Sequence, residues 1–318
     1  MAKRVKILSI DGGGVRGILP AVLLDALEQK AGKPVAEMFD LIGGTSTGGI
    51  LALALCKPDR SGRAEFSAAD VVRLYERHAR RIFRRPAWRT IASLGALAEE
   101  KYPNSGIESV LDEYFGQARL KDALTDVLIT SYEIERRVPF FFRSRHARSR
   151  PDYDFPMKCV ARATSAAPTY FEPCKLEARA PGDYYALIDG GVYANNPAMC
   201  AWVEAKTCWP EARDFLLVSL GTGEQFQPLP YRKARSWGLA QWAKPALEIV
   251  LDAASSTVDY QLRQILPASS YYRFQTRLLH GTEAMNDASA ANLRCLKLQG
   301  EILARQRETD IASLVQLL

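Results

Sequence analysis

Long apolar runs are missing from this chain. No stretch approaches the ~20 consecutive apolar residues that a membrane-spanning helix needs, so a helical membrane protein is excluded. Also missing are any Pro/Gly/Ser-rich linker, internal repeat or low-complexity tract. Nothing therefore marks a boundary within the 318 residues, and one domain over 1–318 is expected, though the length is generous for one. The six cysteines (56, 159, 174, 200, 208 and 295) form no C-x-x-C pair and no Cys/His zinc spacing. Cys56, Cys159 and Cys200 lie in apolar, helix-like runs and read as buried thiols. The basic start, Met1 to Lys6, is followed only by Ile7–Ile10 before Asp11, too short for the apolar core of a signal peptide. Together these absences predict a reduced, cytoplasmic protein with no metal and no cofactor. Histidine is scarce too: His78, His146 and His280 are all there are.

Acidic residues are slightly outnumbered, 36 against 42 Lys and Arg, for a net charge of +6. The excess is uneven. Arg77, Arg80, Arg81, Arg84, Arg85 and Arg89 form one cluster, and Arg143, Arg145, Arg148 and Arg150 another. Such patches suit anionic lipid headgroups or nucleotides, and equally a solvated basic face. No nucleic-acid motif accompanies them, so no nucleic-acid partner is expected. With Trp88, the first cluster predicts peripheral membrane contact.

Glycine, by contrast, is concentrated where strands end. Val5 to Ile10 reads as a strand, followed by Asp11-Gly-Gly-Gly-Val-Arg-Gly17 and a helix over Ile18–Ala31. A second short strand begins near Phe39 and runs into Gly44-Thr-Ser-Thr-Gly48, which fits the G-x-S-x-G nucleophile elbow. In such a turn Ser46 projects from the strand end, Gly44 and Gly48 tolerate the tight backbone, and a wholly apolar helix, Ile50 to Leu55, follows. Further on, the patterning predicts an amphipathic helix over Ser67–Arg84 capped at Ser67 or Asp70, an irregular segment over 86–105, and a helix over Asn104–Phe115. Strands follow at Asp126–Glu135 and Val138–Arg143, then a helix from Pro156 to Ala167. Tyr184–Ile188 is a strand delivering Asp189-Gly-Gly191, and Asn196–Thr207 a helix. Phe215–Leu220 is a strand, Ala243–Leu266 a long helix, Tyr271–Gln275 an edge strand, and Ala290 to about Arg307 a last helix behind Asp287 or Ser289. Alternating strands and helices predict an α/β protein, three layers with a largely parallel central sheet. Ligands in such sheets bind at the carboxyl ends of strands, where all three glycine turns lie.

As an acyl-transfer nucleophile Ser46 needs a base, oxyanion donors and a water-excluding pocket. The N–H groups of Gly12, Gly13 and Gly14 are candidate oxyanion donors, with Arg16 placed to orient the loop or attract a phosphate. The rival is a phosphate or dinucleotide cradle, since Gly12-x-Gly14-x-x-Gly17 between strand and helix meets that fingerprint. The acid expected at the end of the second strand is missing, because Asp40 stands at its start. For the base, His280 would complete a Ser–Asp–His order. Asp189 is the stronger candidate: it ends a strand, and a partly buried carboxylate can take the serine proton directly. Its alternative role is to cap the helix that begins near Asn196, or simply to fill a turn.

These blocks together resemble the patatin-like phospholipase family. Asp11–Gly17, Gly44–Gly48 and Asp189–Gly191 carry the match. Ala163-Thr-Ser-Ala-Ala-Pro-Thr-Tyr-Phe171, Asn195-Asn196-Pro197 and Met285-Asn-Asp-Ala-Ser289 support it, over about Val5 to Ala304. The resemblance implies acyl hydrolysis of phospholipids or related lipids by a Ser–Asp dyad without histidine: Ser46 as nucleophile, Asp189 as base, and Gly12, Gly13 and Gly14 as oxyanion hole with Arg16 alongside. It implies no active-site metal, and that Asp11 fixes the loop rather than reacting. Some similar bacterial proteins are latent effectors switched on by cyclic nucleotides; the arginine clusters are as compatible with that as with an anionic membrane.

Overall fold

In a computed structural model describing residues 4–84, 102–178, 182–224, 228–278 and 282–318, the chain begins with β1 (Val5–Ile10), α1 (Ile18–Ala31), α2 (Val35–Met38), β2 (Leu41–Thr45), α3 (Thr47–Cys56) and α4 (Ala68–Ile82). Next come α5 (Asn104–Phe115), β3 (Asp126–Glu133), β4 (Val138–Arg143), α6 (Ser144–Ser149), α7 (Met157–Thr164), β5 (Cys174–Glu177) and β6 (Tyr184–Asp189). The remainder is α8 (Gly191–Ala194), α9 (Ala198–Cys208), β7 (Phe215–Leu220), α10 (Tyr231–Ala234), α11 (Leu239–Ile265), β8 (Tyr271–Phe274), α12 (Ala290–Gln306) and α13 (Glu308–Leu317).

β1 has almost no exposed side chain. A strand apolar on both faces belongs in the middle of a sheet covered on both sides. Val5 and Ile7 pack into one core with Ala198, Ala201 and Ala205 of α9, whereas Leu8 and Ile10 pack into the other with α1 and α3. The result is the expected three-layer α/β/α architecture. The sheet order is β5-β6-β3-β2-β1-β7-β8, with β4 also on β3. The run from β3 to β8 is parallel; β4 and β6 pair antiparallel with β3, and β5 pairs antiparallel with β6. The chain leaves β1 toward β2 and later returns to its other side with β7. The loop after β1 therefore stands at the switch point, where such sheets open a crevice.

One register positions the site. β2 runs parallel along the start of β3 as far as Thr45 opposite Thr130. β6 runs antiparallel along the end of β3, with Asp189 opposite Ser131. The two strands approach each other, and their carboxyl ends meet at adjacent residues of β3.

Boundaries shift where side chains or prolines intervene. α7 stops at Thr164, short of the expected Ala167. Pro168 disfavours helix just before it, and the Thr164 hydroxyl is engaged by β3 and by the turn after β2. α9 starts at Ala198, whose N–H donates to Asn196 Oδ1 at 3.0 Å, two residues later than expected. α11 starts four residues earlier than the expected Ala243. β5 and α13 were not anticipated; β5 is only four residues and alternates buried with exposed. The expected irregular segment over 86–105 lies mostly outside the described residues. Ser67 caps α4 in a reciprocal box with Asp70. Ser67→Ala should cost about 1 kcal/mol of stability, read in a urea titration.

Candidate active site

Ser46 sits between β2 and α3 at φ 53 and ψ −122. Non-glycine residues avoid that region unless the surroundings force it. Here the fixing contacts are clear. Its N–H donates to Thr164 Oγ1 at 2.8 Å, and that hydroxyl donates to Thr130 O at 2.6 Å. The turn also needs its flanking glycines. A Cβ on Gly48 would lie 2.1 Å from Ile10 O, and one on Gly44 would lie 2.4 Å from Gly48 O. α3 then runs away fully buried from Leu51 to Cys56.

Asp189 reaches Ser46 from the opposite direction. Its carboxylate lines the same cavity as Ser46, close enough for the Ser46 side chain to favour its charged form, and accepts the Gly191 N–H at 2.7 Å on Oδ1. Burial pushes its pKa up from 3.8 to about 6, against the opposing pull of the Ser46 side chain and the Gly191 N–H. A carboxylate so placed is more basic than an exposed one, yet ionised near neutrality. Among the described residues no histidine lines the cavity at Ser46. His78 faces Glu113 at 3.8 Å and His146 is exposed; His280 lies outside the described residues.

The glycine loop is held from three sides. Gly12 N–H donates to Asn195 O at 2.9 Å, Thr222 Oγ1 donates to Gly12 O at 2.7 Å, and Val15 N–H donates to Met285 O at 2.9 Å. The expectation that Gly12 is an oxyanion donor is therefore corrected, because its N–H is already satisfied. Gly13 and Gly14 line the cavity beside Ser46. Of the two places expected for Arg16, ordering the loop and standing alongside the oxyanion hole, it takes the first. It is 2% exposed, its Nε–H donates to Gly13 O at 3.3 Å, and it faces a second, polar cavity with Asp11, Asp252 and Ser255. It orients the loop and does not line the Ser46 cavity. Behind the loop Asp11 accepts Arg273 Nη1 and Nη2 at 3.0 and 2.6 Å, and Ser255 Oγ at 3.0 Å. Asp11 fixes the loop, as expected from its block.

The cavity above Ser46 measures about 100 Å³. Its walls are Leu74, Tyr75, Ile82 and Phe83 from α4 and the turn after it, Ile107 from α5, the 165–171 segment, and Leu247 and Leu251 from α11. The slot they enclose is mostly apolar. Apart from the 165–171 segment, which falls in the Ala163–Phe171 block, these wall residues are distant apolar positions that only folding brings together. The Asp11–Arg273 pair spans 262 residues and was invisible for the same reason.

The arginine clusters are substantially committed elsewhere. Arg145 and Arg148 both pair with Asp126, Arg143 with Glu204 and Arg150 with Asp152. Arg81 pairs with Glu113, and Arg80 Nε–H donates to Ala288 O. Arg85, Arg89 and Trp88 lie outside the described residues. Among the described residues, no helix is long and apolar enough to cross a membrane.

With this geometry in place, comparisons give one answer. The family model described as patatin-like phospholipase matches residues 8–202. A potato (Solanum tuberosum) protein named probable inactive patatin-3-Kuras 1 is 33% identical, covering 98% of this chain and 89% of its own length. Patatin-like protein 1 of Oryza sativa is 32% identical over 97% of this chain and 83% of its own. Patatin-like protein 4 of Arabidopsis thaliana is 32% identical over 94% and 83%.

Two outcomes test the support of the site. Arg273→Met leaves a buried aspartate without its partner and should destabilise the fold by about 3–5 kcal/mol, measured by calorimetry. Asp189 is protonated in both folded and unfolded chains well below its ordinary 3.8, but above about 6 it is ionised in the folded state at a cost. Asp189→Asn should therefore be more stable than wild type at pH 8, by on the order of 2 kcal/mol, with the gain shrinking as pH falls through 6 and gone near pH 3.

Proposed function

We propose a reaction for this chain, which belongs to the patatin-like phospholipase family: hydrolysis of ester-linked fatty acids from membrane phospholipids or related lipids, with Ser46 as nucleophile and Asp189 as base. The observation that carries it is the placing of the Ser46 side chain and a buried carboxylate together in an apolar slot, at the meeting ends of two strands. The acyl chain lies in the slot and the ester carbonyl carbon sits over Ser46. Asp189 takes the hydroxyl proton as Oγ bonds to that carbon. The developing oxyanion is stabilised by the N–H groups of Gly13 and Gly14, fixed beforehand by the loop's other ties. Collapse expels the alcohol, which leaves with the proton from Asp189, and Ser46 remains acylated. Water, deprotonated by Asp189, attacks the acyl carbon. The fatty acid departs and the proton returns to Ser46.

The glycine loop supports this reading over a phosphate cradle. The N–H groups of Gly12, Val15 and Arg16 are already bonded within the protein, and Asp40 sits at the far end of β2 from the loop. The name of the potato relative raises the question of activity directly; here the serine and aspartate are together, which supports a working centre.

A fluorophosphonate should label the wild type at Ser46 alone, identified by peptide mass, and should leave Ser46→Ala unlabelled. Asp189→Asn should lower ester hydrolysis by roughly a hundredfold or more while the protein stays folded. Hydrolysis by Asp189→Asn within tenfold of wild type would sink the dyad. In wild type, kcat/KM should rise with pH through about 6 and then level off, as the free base is populated. A lipid panel analysed by product mass, with Ser46→Ala as blank, should yield free fatty acid.

A further inference from the structure

Helix α11 carries apolar residues on its solvent side. Leu239, Trp242, Ile249, Val250 and Tyr260 are all exposed, Leu239 at 94% and Tyr260 at 66%. At 100° per residue they fall within an arc of about 100°, and Ala246 and Ala253, also exposed, fill the same stripe. The inner side of the helix is already used: Leu247 and Leu251 wall the slot above Ser46, and Leu262 is buried against the sheet. An apolar stripe on the outside, interrupted by the exposed Thr257, marks an interaction surface rather than ordinary scatter.

The flanking residues name the partner. Just upstream, Tyr231 is 78% exposed, and Trp237 packs edge-on to Trp242 with ring centroids 5.1 Å apart. Interleaved with them are the exposed Arg232, Lys233 and Arg235. Tryptophan and tyrosine beside basic residues and an aliphatic stripe match the headgroup layer of an anionic bilayer, polar above and apolar below. The location agrees: one helix presents the stripe on its outer side and the slot wall on its inner side.

We propose that the segment 229–260 is the face on which this protein docks to an anionic lipid bilayer, so that a lipid leaving the bilayer passes the edge of α11 into the slot. This moves the contact away from α4, where Arg80 and Arg81 have partners within the protein. The proposal rests on the lipid-hydrolase reading, and its test separates the two by measuring binding with protein that cannot turn over.

In a Ser46→Ala background, sedimentation with phosphatidylcholine vesicles containing phosphatidylserine should show binding. It should weaken with salt and in pure phosphatidylcholine. Trp242→Ala/Ile249→Ser/Val250→Ser and Arg232→Glu/Arg235→Glu should each lower partitioning by about tenfold or more. Arg77→Glu/Arg81→Glu should leave it within about twofold. With Ser46 restored, hydrolysis of a soluble short-chain ester should stay within about twofold of wild type in the Trp242 triple variant. Absence of binding, equal binding by the triple variant, loss confined to the Arg77/Arg81 variant, or a dimer that the triple variant dissociates would each overturn the docking face. Absent short-ester hydrolysis in wild type would instead overturn the hydrolase reading and leave the vesicle result standing.

Discussion

Strand β3 shares one edge between two partners, and the site follows from that sharing. β2 occupies the edge up to Thr130 and β6 takes it over from Ser131. One partner is parallel and the other antiparallel, so they run head-on and their carboxyl ends meet. Ser46 is the residue after β2, and Asp189 is the last of β6. Their contact is therefore set by backbone ladders, the stiffest part of the fold, with no long loop to position either group. Thr45 Oγ1, within 2.7 Å of Thr130 Oγ1 and donating to Ala194 O at 2.6 Å, ties β2 to β3 and to α8, the helix that follows β6.

The arrangement asks the fold to hold costly groups. Ser46 sits at an unfavourable φ, and Asp189 is a buried carboxylate with a raised pKa. Each is held by neighbours that cannot relax: Thr164 beneath the Ser46 amide, Gly48 pressed on Ile10 O, and Gly191 N–H on the carboxylate. Strain and burial that destabilise the chain are what aim a serine outward and make an aspartate basic.

Two environments are kept apart by the glycine loop. On one side lies the apolar slot; on the other lies the polar cavity with Arg16, Asp11 and Asp252. Asp11 lines the second, and its buried pair with Arg273 holds the loop in place without lining the first. α11 borders both, lining the slot with Leu247 and Leu251 and the polar cavity with Asp252 and Ser255.

Local chemistry made most of the architecture and the reacting groups legible. β1, α1, α5, β4 and β7 lie where apolar runs and caps place them, because strand and helix period are properties of neighbouring residues. The elbow around Ser46 and the turn at Asp189 were visible because close backbone approach demands glycine in a short window. β5 and α13 escaped, being short or weakly patterned. The Gly12 N–H reads as free when the loop is taken alone, whereas the Asn195 carbonyl claims it. What the sequence determined by itself was a serine on a strained turn, a carboxylate at a strand end and the helices and strands that bear them. Their meeting, the rise in the Asp189 pKa, the walls of the slot and the outward stripe of α11 were decided by tertiary structure alone. Each depends on register, burial or exposure relative to residues far away in the chain, and no local pattern encodes those.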